Sequence, residues 1–146
     1  MGLEEYLKKR DFEKTNEPKG DEKTSRGNIY VIQKHQARRL HYDLRLEMDE
    51  VLKSWAVPKE PPTEKGIKRL AVQVEDHPID YANFEGTISE GQYGAGTVEI
   101  WDKGYYVLKE RDEDKLVFEI KGSKLRGDYC LVRFKGRKNW LFFKKK

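Results

Sequence analysis

Leu40-His41-Tyr42-Asp43-Leu44-Arg45-Leu46-Glu47 alternates apolar and polar residues without a break. Because successive side chains of a β-strand point to opposite faces of a sheet, the apolar residues form one row and the polar residues form the other. The apolar row predicts a strand that packs on a core. The polar row places His41, Asp43 and Arg45 side by side on the other face, where they could bind a metal ion and a phosphate.

Short strands predominate in the rest of the chain. We predict them over about 29–34, 40–47, 51–57, 70–75, 97–101, 105–109, 115–120, 129–134 and 139–143. The spacing of Leu3, Tyr6 and Leu7 predicts a short amphipathic helix, and the polar stretch 13–28 is typical of a surface loop. Many short strands with turn residues between them favour a barrel or a sandwich over a βαβ arrangement.

Length and composition limit the class of protein. A chain of 146 residues is expected to form a single domain, residues 1–146, without disulfide support. The one cysteine, Cys130, lies in an apolar run that predicts a buried thiol. No segment approaches the roughly 20 apolar residues of a membrane-spanning helix, and the first residues lack the features of a signal peptide. We therefore expect a cytoplasmic protein with no membrane partner.

The net charge of +4 is distributed unevenly. Residues 121–146 contain ten lysine or arginine residues and one acidic residue, so the remainder of the chain is net acidic. The aromatic residues interleaved with these cations are Tyr129, Phe134, Trp140, Phe142 and Phe143. Such an end could follow a phosphate backbone and stack on bases. Alternatively, the aromatic residues belong to the core and the lysines cover a solvated surface.

Two histidines and a carboxylate lie close enough in sequence to bind one metal ion. His35 precedes His41 by six positions, and a turn between them could bring both imidazoles and Asp43 together. Two nitrogens and one carboxylate leave coordination positions open, as a catalytic site requires, and suit Mn, Fe or Zn. The alternative is a surface strand with unrelated polar residues.

Further polar residues extend this hypothesis. The planar guanidinium of Arg45 could hold two oxygens of a metal-bound anion, although it could instead form an ordinary ion pair on the strand. His77, with Pro78 behind it at a predicted strand end, could protonate a leaving oxygen or simply make a structural hydrogen bond. The segment Glu90-Gly91-Gln92-Tyr93-Gly94-Ala95-Gly96 lacks the lysine of a P-loop and is interpreted first as a turn.

Three long motifs in this chain resemble the 3′-phosphoesterase domain of bacterial DNA ligase D. They are QKHQARRLHYDLRLE at 33–47, LKSWAVPK at 52–59, and the stretch 75–96, which runs from EDHP through GTI to EGQYGAG. The resemblance extends from about Leu7 to the carboxyl end and includes WLFFK at 140–144. Since no ligase or polymerase segment is present, we expect a free-standing version of the domain.

The resemblance implies a manganese-dependent enzyme of DNA end repair. Zn or Co are other possible metals, because histidine and carboxylate ligands accept them as well. It implies a mainly β fold, in which a compact antiparallel barrel over 29–146 follows a helix and loop over 1–28. Members of the family remove a 3′-terminal ribonucleoside from a primer-template and then remove the 3′-phosphate, leaving a 3′-hydroxyl. The expected partners are DNA with a 3′-ribonucleotide or 3′-phosphate end, a DNA ligase and end-binding repair proteins. We expect a monomer.

The resemblance also implies a role for each matching residue. The metal ligands would be His35, His41 and Asp43. The residues that act on the phosphate would be Arg45, His77, Tyr81, Lys59 and Arg69, of which Arg45 clamps it and His77 acts at the reacting centre. The residues that serve mainly the ribonucleoside step would be Arg10, Asp11, Glu17, Gln33 and Glu75.

Departures from the family pattern fall in turns. Asp49-Glu50 stands where the family usually has Asp-Gly, so a turn that needs a positive φ is less favourable here. Glu60 and Ser89 replace a frequent glycine and a frequent proline. These changes affect the expected loop conformations and the placement of Lys59.

Two other functions fit parts of the pattern. A barrel with two histidines and one carboxylate also describes Fe(II) oxygenases, although these usually place the His-x-Asp pair before the distant histidine. A non-catalytic nucleic-acid module using the basic carboxyl end would bind DNA and leave its 3′ end unchanged.

Overall fold

The computed structural model of the chain describes residues 3–12, 14, 15, 17, 18 and 28–145. They form one α-helix, a 3-10 helix and nine β-strands in this part of the chain. In chain order the elements are α1 (Glu4–Lys8), β1 (Ile29–Gln36), β2 (Leu40–Met48), β3 (Val51–Val57), β4 (Lys68–His77), the 3-10 helix (Ile79–Asn83), β5 (Gly86–Ile88), β6 (Gly96–Asp112), β7 (Lys115–Lys121), β8 (Arg126–Lys135) and β9 (Asn139–Lys144).

Eight of the strands close into an antiparallel barrel, which confirms the predicted fold. Neighbouring strands follow the order β1, β2, β3, β4, β9, β8, β7, β6, and β6 pairs back onto β1. Closure leaves these eight strands without a free edge. The short β5 adds to β6 outside this ring, with Thr87 opposite Thr97.

The barrel wall separates two apolar clusters. Tyr42, Leu44 and Leu46 of β2 point inward and join the main core of the barrel. Val31 of β1 and Leu52 of β3 point outward and pack beneath α1 and the 3-10 helix. Because the outer face is covered as well, the polar row of β2 between these two layers is also largely buried, and Asp43 and Arg45 are only 5% and 3% exposed. The alternative interpretation of β2 as a surface strand with unrelated polar residues is therefore wrong.

The two strands predicted over 97–101 and 105–109 are one continuous strand, β6. Asp102 and Lys103, which suggest a turn in the sequence, pair with Ile32 and Val31 of β1. Asp102 is buried at 4% exposure because its carboxylate accepts hydrogen bonds from Tyr30 and from three backbone amides of the β7–β8 turn. A buried polar residue with satisfied hydrogen bonds is tolerated within a strand. The three-residue strand β5 was not predicted.

The amino-terminal segment is more buried than a surface loop. The predicted helix is present as α1, with Tyr6 fully buried, but Leu7 of its apolar stripe is 45% exposed. Thr15 and Glu17 are buried, so the surface-loop prediction for 13–28 is wrong at these positions, while residues 13, 16 and 19–27 lie outside the described residues. Glu17 is buried because side chains of the site hydrogen-bond to its carboxylate.

Most aromatic residues of the basic carboxyl end belong to the core. This agrees with our alternative interpretation, in which the aromatic residues are buried and the lysines cover the surface. Tyr129, Trp140 and Phe142 are between 0% and 5% exposed, and Cys130 is buried as predicted. Phe134 differs, because it is 52% exposed near the β8–β9 turn. In the described part of the chain, no helix has the length and apolar character that crossing a membrane would require.

The β2–β3 hairpin has a turn conformation that usually requires glycine, although the turn contains no glycine. Asp49 and Glu50 have φ values of 57° and 68°, and two successive positive φ angles characterise a type I′ turn. The Asp49 carboxylate also accepts hydrogen bonds from Arg111, with an Nη2 to Oδ2 distance of 2.6 Å. Glu50 thus carries a side chain in a conformation that favours glycine.

We expect Glu50→Gly to raise the free energy of unfolding by about 1 kcal/mol, because the variant relieves the cost of a positive φ at this position. Urea denaturation would show this as a higher midpoint with an unchanged m-value. Glu50→Ala, which keeps a Cβ atom, is the matched control and should not stabilise. A Glu50→Gly midpoint equal to or below that of the alanine variant would refute this explanation.

Candidate active site

A cavity of about 260 Å³ opens on the outer face of the barrel wall, where β1, β2 and β4 meet the covering helices and the β5–β6 loop. This volume lies just below the usual range of small-ligand sites, so the cavity accommodates a small chemical group. Nine predicted site residues line it: Arg10, Glu17, His35, His41, Asp43, Arg45, Glu75, His77 and Tyr81.

His35, His41 and Asp43 converge at one end of this cavity. His35 of β1 stands opposite His41 of β2 in the strand register, and Asp43 follows on the same face. One potential ligand atom from each residue lies within 4.8 Å of the other two. His35 Nδ1 is 3.5 Å from Asp43 Oδ2, and His41 Nε2 is 3.3 Å from Asp43 Oδ1. The three side chains therefore offer two nitrogens and a carboxylate to one ion.

Backbone carbonyl groups orient both imidazoles. The distance from His35 Nε2 to the Gly94 oxygen is 2.7 Å, and from His41 Nδ1 to the Arg39 oxygen 3.1 Å. A carbonyl only accepts, so each of these ring nitrogens carries the proton and the other nitrogen keeps its lone pair for a ligand. Metal-binding histidines are commonly held in this way. The donor set and its support therefore fit a divalent cation.

The surroundings keep the Asp43 carboxylate ionised. Burial alone would raise the pKa of Asp43, but its polar contacts with the His35 and His41 imidazoles and the charge of Arg45 hold this pKa well below its usual range. Burial would lower the pKa of His41, but the contact with Asp43 outweighs this effect and raises it. A permanently ionised carboxylate is what a metal ligand requires.

Arg45 is fixed by groups on two neighbouring strands. Its Nε donates to Gln33 Oε1 at 2.6 Å, and its Nη1 donates to Ser54 Oγ at 2.8 Å. Gln33 in turn donates to the Tyr81 and Phe84 carbonyl oxygens, so it connects the arginine with the 3-10 helix. Arg45 Nη2 lies 3.5 Å from Asp43 Oδ2. The guanidinium is thus held rigidly next to the predicted metal ligands.

His77 lies at the end of β4, between Arg45 and Arg10. Its Nδ1 is 2.9 Å from the Glu75 carbonyl oxygen, whereas Arg45 Nη1 is 3.1 Å away. The shorter contact is to an acceptor, so we assign the proton to Nδ1 and the lone pair to Nε2, which faces Arg10 Nη2 at 3.5 Å. Burial and the charges of Arg45 and Arg10 hold the pKa of His77 well below its usual value. The imidazole is therefore neutral.

Arg10 joins the amino-terminal segment to the cavity. Its Nη1 donates to Glu75 Oε2 at 3.1 Å, and its Nε donates to Glu17 Oε1 at 3.3 Å. The other Glu17 oxygen accepts a hydrogen bond of 2.5 Å from the Tyr81 hydroxyl. Burial raises the pKa of Tyr81 well above its usual value, so the phenol stays protonated and can donate. Both carboxylates are thereby held within reach of a bound substrate.

Four predicted residues do not line the cavity, although one of them, Gln33, contacts Arg45 directly. Asp11 is exposed beyond the end of α1, and its carbonyl oxygen accepts backbone hydrogen bonds from residues 14 and 15. Lys59 is exposed in the β3–β4 connection, and Arg69 donates from Nε to the Glu60 carbonyl at 2.8 Å. The roles of Asp11, Lys59 and Arg69 stay predictions.

Sequence reasoning missed three residues of the site. Gly94 supplies the carbonyl that orients His35, and a Cβ atom at this position, where φ is +76°, would lie 3.4 Å from the imidazole. Tyr93 lines the cavity, and Ser54 anchors Arg45. The signal for the first two was the glycine-rich segment 90–96, because glycines allow a backbone to approach a ligand closely. Ser54 lies within the motif LKSWAVPK at 52–59, but nothing in the sequence indicated that it contacts Arg45.

Comparison with known proteins gives a consistent result. A family model described as the DNA Ligase D 3′-phosphoesterase domain matches residues 33–133. A Pseudomonas aeruginosa protein named multifunctional non-homologous end joining protein LigD is 49% identical over 155 residues, which cover 99% of this chain and 18% of that protein. The LigD proteins of Mycolicibacterium smegmatis and Mycobacterium tuberculosis are 47% and 46% identical, and each alignment covers 95% of the chain and 20% or 19% of the relative. The chain thus spans about a fifth of the length of these relatives.

Proposed function

The chain belongs to the family of DNA ligase D 3′-phosphoesterase domains, and from this premise we propose that it is a manganese-dependent enzyme that heals DNA 3′ ends. It removes a 3′-terminal ribonucleoside and then the remaining 3′-phosphate, leaving a 3′-hydroxyl for ligation. The observation that carries this proposal is one small cavity that joins the donors His35, His41 and Asp43 to the buried guanidinium of Arg45.

His35, His41 and Asp43 would hold the metal ion. Imidazole and carboxylate ligands suit Mn, and they accept Zn or Co as well. When bound, a divalent cation supplies Lewis-acid polarisation of a phosphoryl oxygen. The chain contributes the orientation, because the Gly94 and Arg39 carbonyls fix which imidazole nitrogen faces the ion.

Arg45 clamps the phosphate. Gln33 and Ser54 already satisfy Nε and Nη1, so the guanidinium cannot turn away, and Nη2 remains directed towards the metal-ligand end of the cavity. A preorganised cation stabilises the charge that develops on the phosphoryl oxygens without further reorganisation. This argument depends on the rigidity of Arg45 as much as on its charge.

His77 moves the proton. In the free protein it is neutral, with a lone pair on Nε2. An anion bound between Arg45 and Arg10 would offset the positive charges that depress the pKa of His77, so this pKa would rise on substrate binding. Nε2 would then carry a proton and could pass it to the departing oxygen.

The ribonucleoside step needs the amino-terminal side of the cavity. Arg10 holds Glu17 and Glu75, and Tyr81 donates to Glu17, which together form a polar wall opposite the metal ligands. Acidic and hydroxyl groups of this kind can bind sugar hydroxyls. We propose that the protein acts as a monomer on primer-template DNA in the cytoplasm, together with a DNA ligase and end-binding proteins.

Phosphate release tests the proposal. A primer-template that ends in a 3′-phosphate is incubated with protein after chelation, and again after manganese is restored. We expect inorganic phosphate only in the second reaction. A non-catalytic module would bind the DNA and release none, and an Fe(II) oxygenase would require oxygen and a co-substrate. Absence of release with manganese present would overturn the proposed function.

A further inference from the structure

A second groove adjoins the cavity on the outer face of β4. Tyr93 and Glu75 line both the cavity and the groove. From these residues the groove runs past Val74 to the β8–β9 turn at Arg137 and Lys138. The groove has a volume of about 430 Å³ and is more open than the cavity. A strand whose end occupies the cavity could leave it along this groove.

The carboxylates of this groove all have cationic partners. Lys9 Nζ lies 3.1 Å from a Glu5 oxygen and 3.4 Å from a Glu75 oxygen. Asp76 is 3.2 Å from Lys53 Nζ, which approaches from β3. The negative charges in the groove are therefore already compensated by lysines, together with Arg10 at Glu75.

The positive charges at the far end of the groove are not compensated in this way. Arg137 and Lys138 are exposed in the β8–β9 turn, and within the described ranges neither side chain has a hydrogen bond or an ion pair. The Lys138 carbonyl accepts from the Gln73 amide at 2.7 Å, which fixes the backbone of the turn against β4. The turn thus presents, from a fixed backbone, two cations that have no partner among the residues the structure describes.

Tyr93 stands at the junction of cavity and groove. Its ring is 48% exposed, with Lys9 Nζ 4.5 Å and the Arg10 guanidinium carbon 5.3 Å from the ring centroid. Lys9 Nζ also donates to the Tyr93 hydroxyl at 3.3 Å. These contacts hold an exposed aromatic face next to cations, an arrangement that single-stranded nucleic acid uses for base stacking.

We propose that this groove holds the DNA strand that leads into the cavity. Tyr93 stacks on a nucleotide next to the 3′ end, and Arg137 and Lys138 neutralise backbone phosphates further along the same strand. The inference rests on the proposed function for the identity of the 3′ end. The groove itself is tested by binding, which requires no turnover.

The test compares two double variants by fluorescence anisotropy with a labelled primer-template. R137A/K138A removes the groove cations, and K121A/R126A removes two exposed cations that face each other where β7 ends and β8 begins, at the opposite end of β8. Loss of two phosphate contacts should weaken binding at least about tenfold at 0.1 M salt and lower the salt slope by nearly 2. The control should bind like the unaltered protein. Equal affinities and salt slopes for both double variants would overturn the proposal.

Tyr93 is tested separately. Tyr93→Ala should weaken binding about tenfold, and Tyr93→Phe, which keeps the ring, should bind like the unaltered protein. Loss of binding in both variants would overturn the stacking role. Tyr93→Phe keeps the ring, so the loss would then be due to the missing hydroxyl contact with Lys9. If the groove variants lose affinity while the unaltered protein processes no 3′ end, the groove stands and the proposed function fails.

Discussion

Asp43→Ala will abolish both the removal of the 3′-ribonucleoside and the removal of the 3′-phosphate. The carboxylate lies between His35 Nδ1 and His41 Nε2, so its loss leaves the two imidazoles without the anionic group that we propose as the third metal ligand. A metal ion contributes several kcal/mol of transition-state stabilisation, which corresponds to a rate decrease of about 10³-fold or more. His41→Ala should have the same effect. Single-turnover rates on each substrate measure it.

Calorimetric titration with manganese separates loss of the metal from loss of the fold. We expect one ion per chain in the unaltered protein and greatly weakened binding in Asp43→Ala. Asp114→Ala is the control, because Asp114 is an exposed carboxylate paired with Arg133 on the barrel surface. Circular dichroism should show both variants folded. Full activity of purified Asp43→Ala or His41→Ala would eliminate the metal assignment.

Arg10→Ala should remove one reaction and spare the other. Arg10 contacts Glu17, Glu75 and His77, whereas Arg45 is held by Gln33 and Ser54. Ribonucleoside removal should therefore fall about 10²-fold or more, as expected when two buried carboxylates lose their counter-ion. Phosphate removal should persist.

Rates on a primer with a 3′-ribonucleotide and on one with a 3′-phosphate provide the comparison for Arg10→Ala. Lys14→Ala is the matched control, since Lys14 is an exposed cation in the same amino-terminal segment. It should leave both rates unchanged. An equal loss of both reactions in Arg10→Ala would show that the two steps do not divide between the two sides of the cavity.

The alternation in β2 predicted a strand and its inward face correctly. Tyr42, Leu44 and Leu46 are core residues of the barrel. The same alternation could not predict that Asp43 and Arg45 are buried, because their cover comes from α1 and the 3-10 helix, which are distant in sequence. A period of two separates the two faces of a strand but does not say what packs on either face.

Local signals were least reliable where a polar residue has a tertiary role. Asp102 suggested a turn in the middle of β6, and Glu17 suggested a loop at the surface. Each carboxylate is buried because it accepts hydrogen bonds from residues far along the chain, from Tyr30 in one case and Tyr81 in the other. The sequence alone does not reveal such partners, because only the folded barrel brings them together.

The glycine-rich segment 90–96 shows the same limit at the candidate active site. Its glycines correctly predicted tight backbone turns, and Gly91 and Gly94 have φ values of 87° and 76°. That the Gly94 carbonyl would orient His35 depends on β5 and β6 bringing this loop beside β1. The family resemblance, by contrast, named nine residues that the fold brings to one cavity.

A time course on a labelled primer-template that ends in one ribonucleotide tests the central claim most directly. The protein is added with manganese, and the 3′ ends are resolved by electrophoresis. The account predicts loss of the ribonucleoside to give a 3′-phosphate, followed by conversion of this product to a 3′-hydroxyl. A 3′ end that stays unchanged while the protein is bound to the DNA would contradict it.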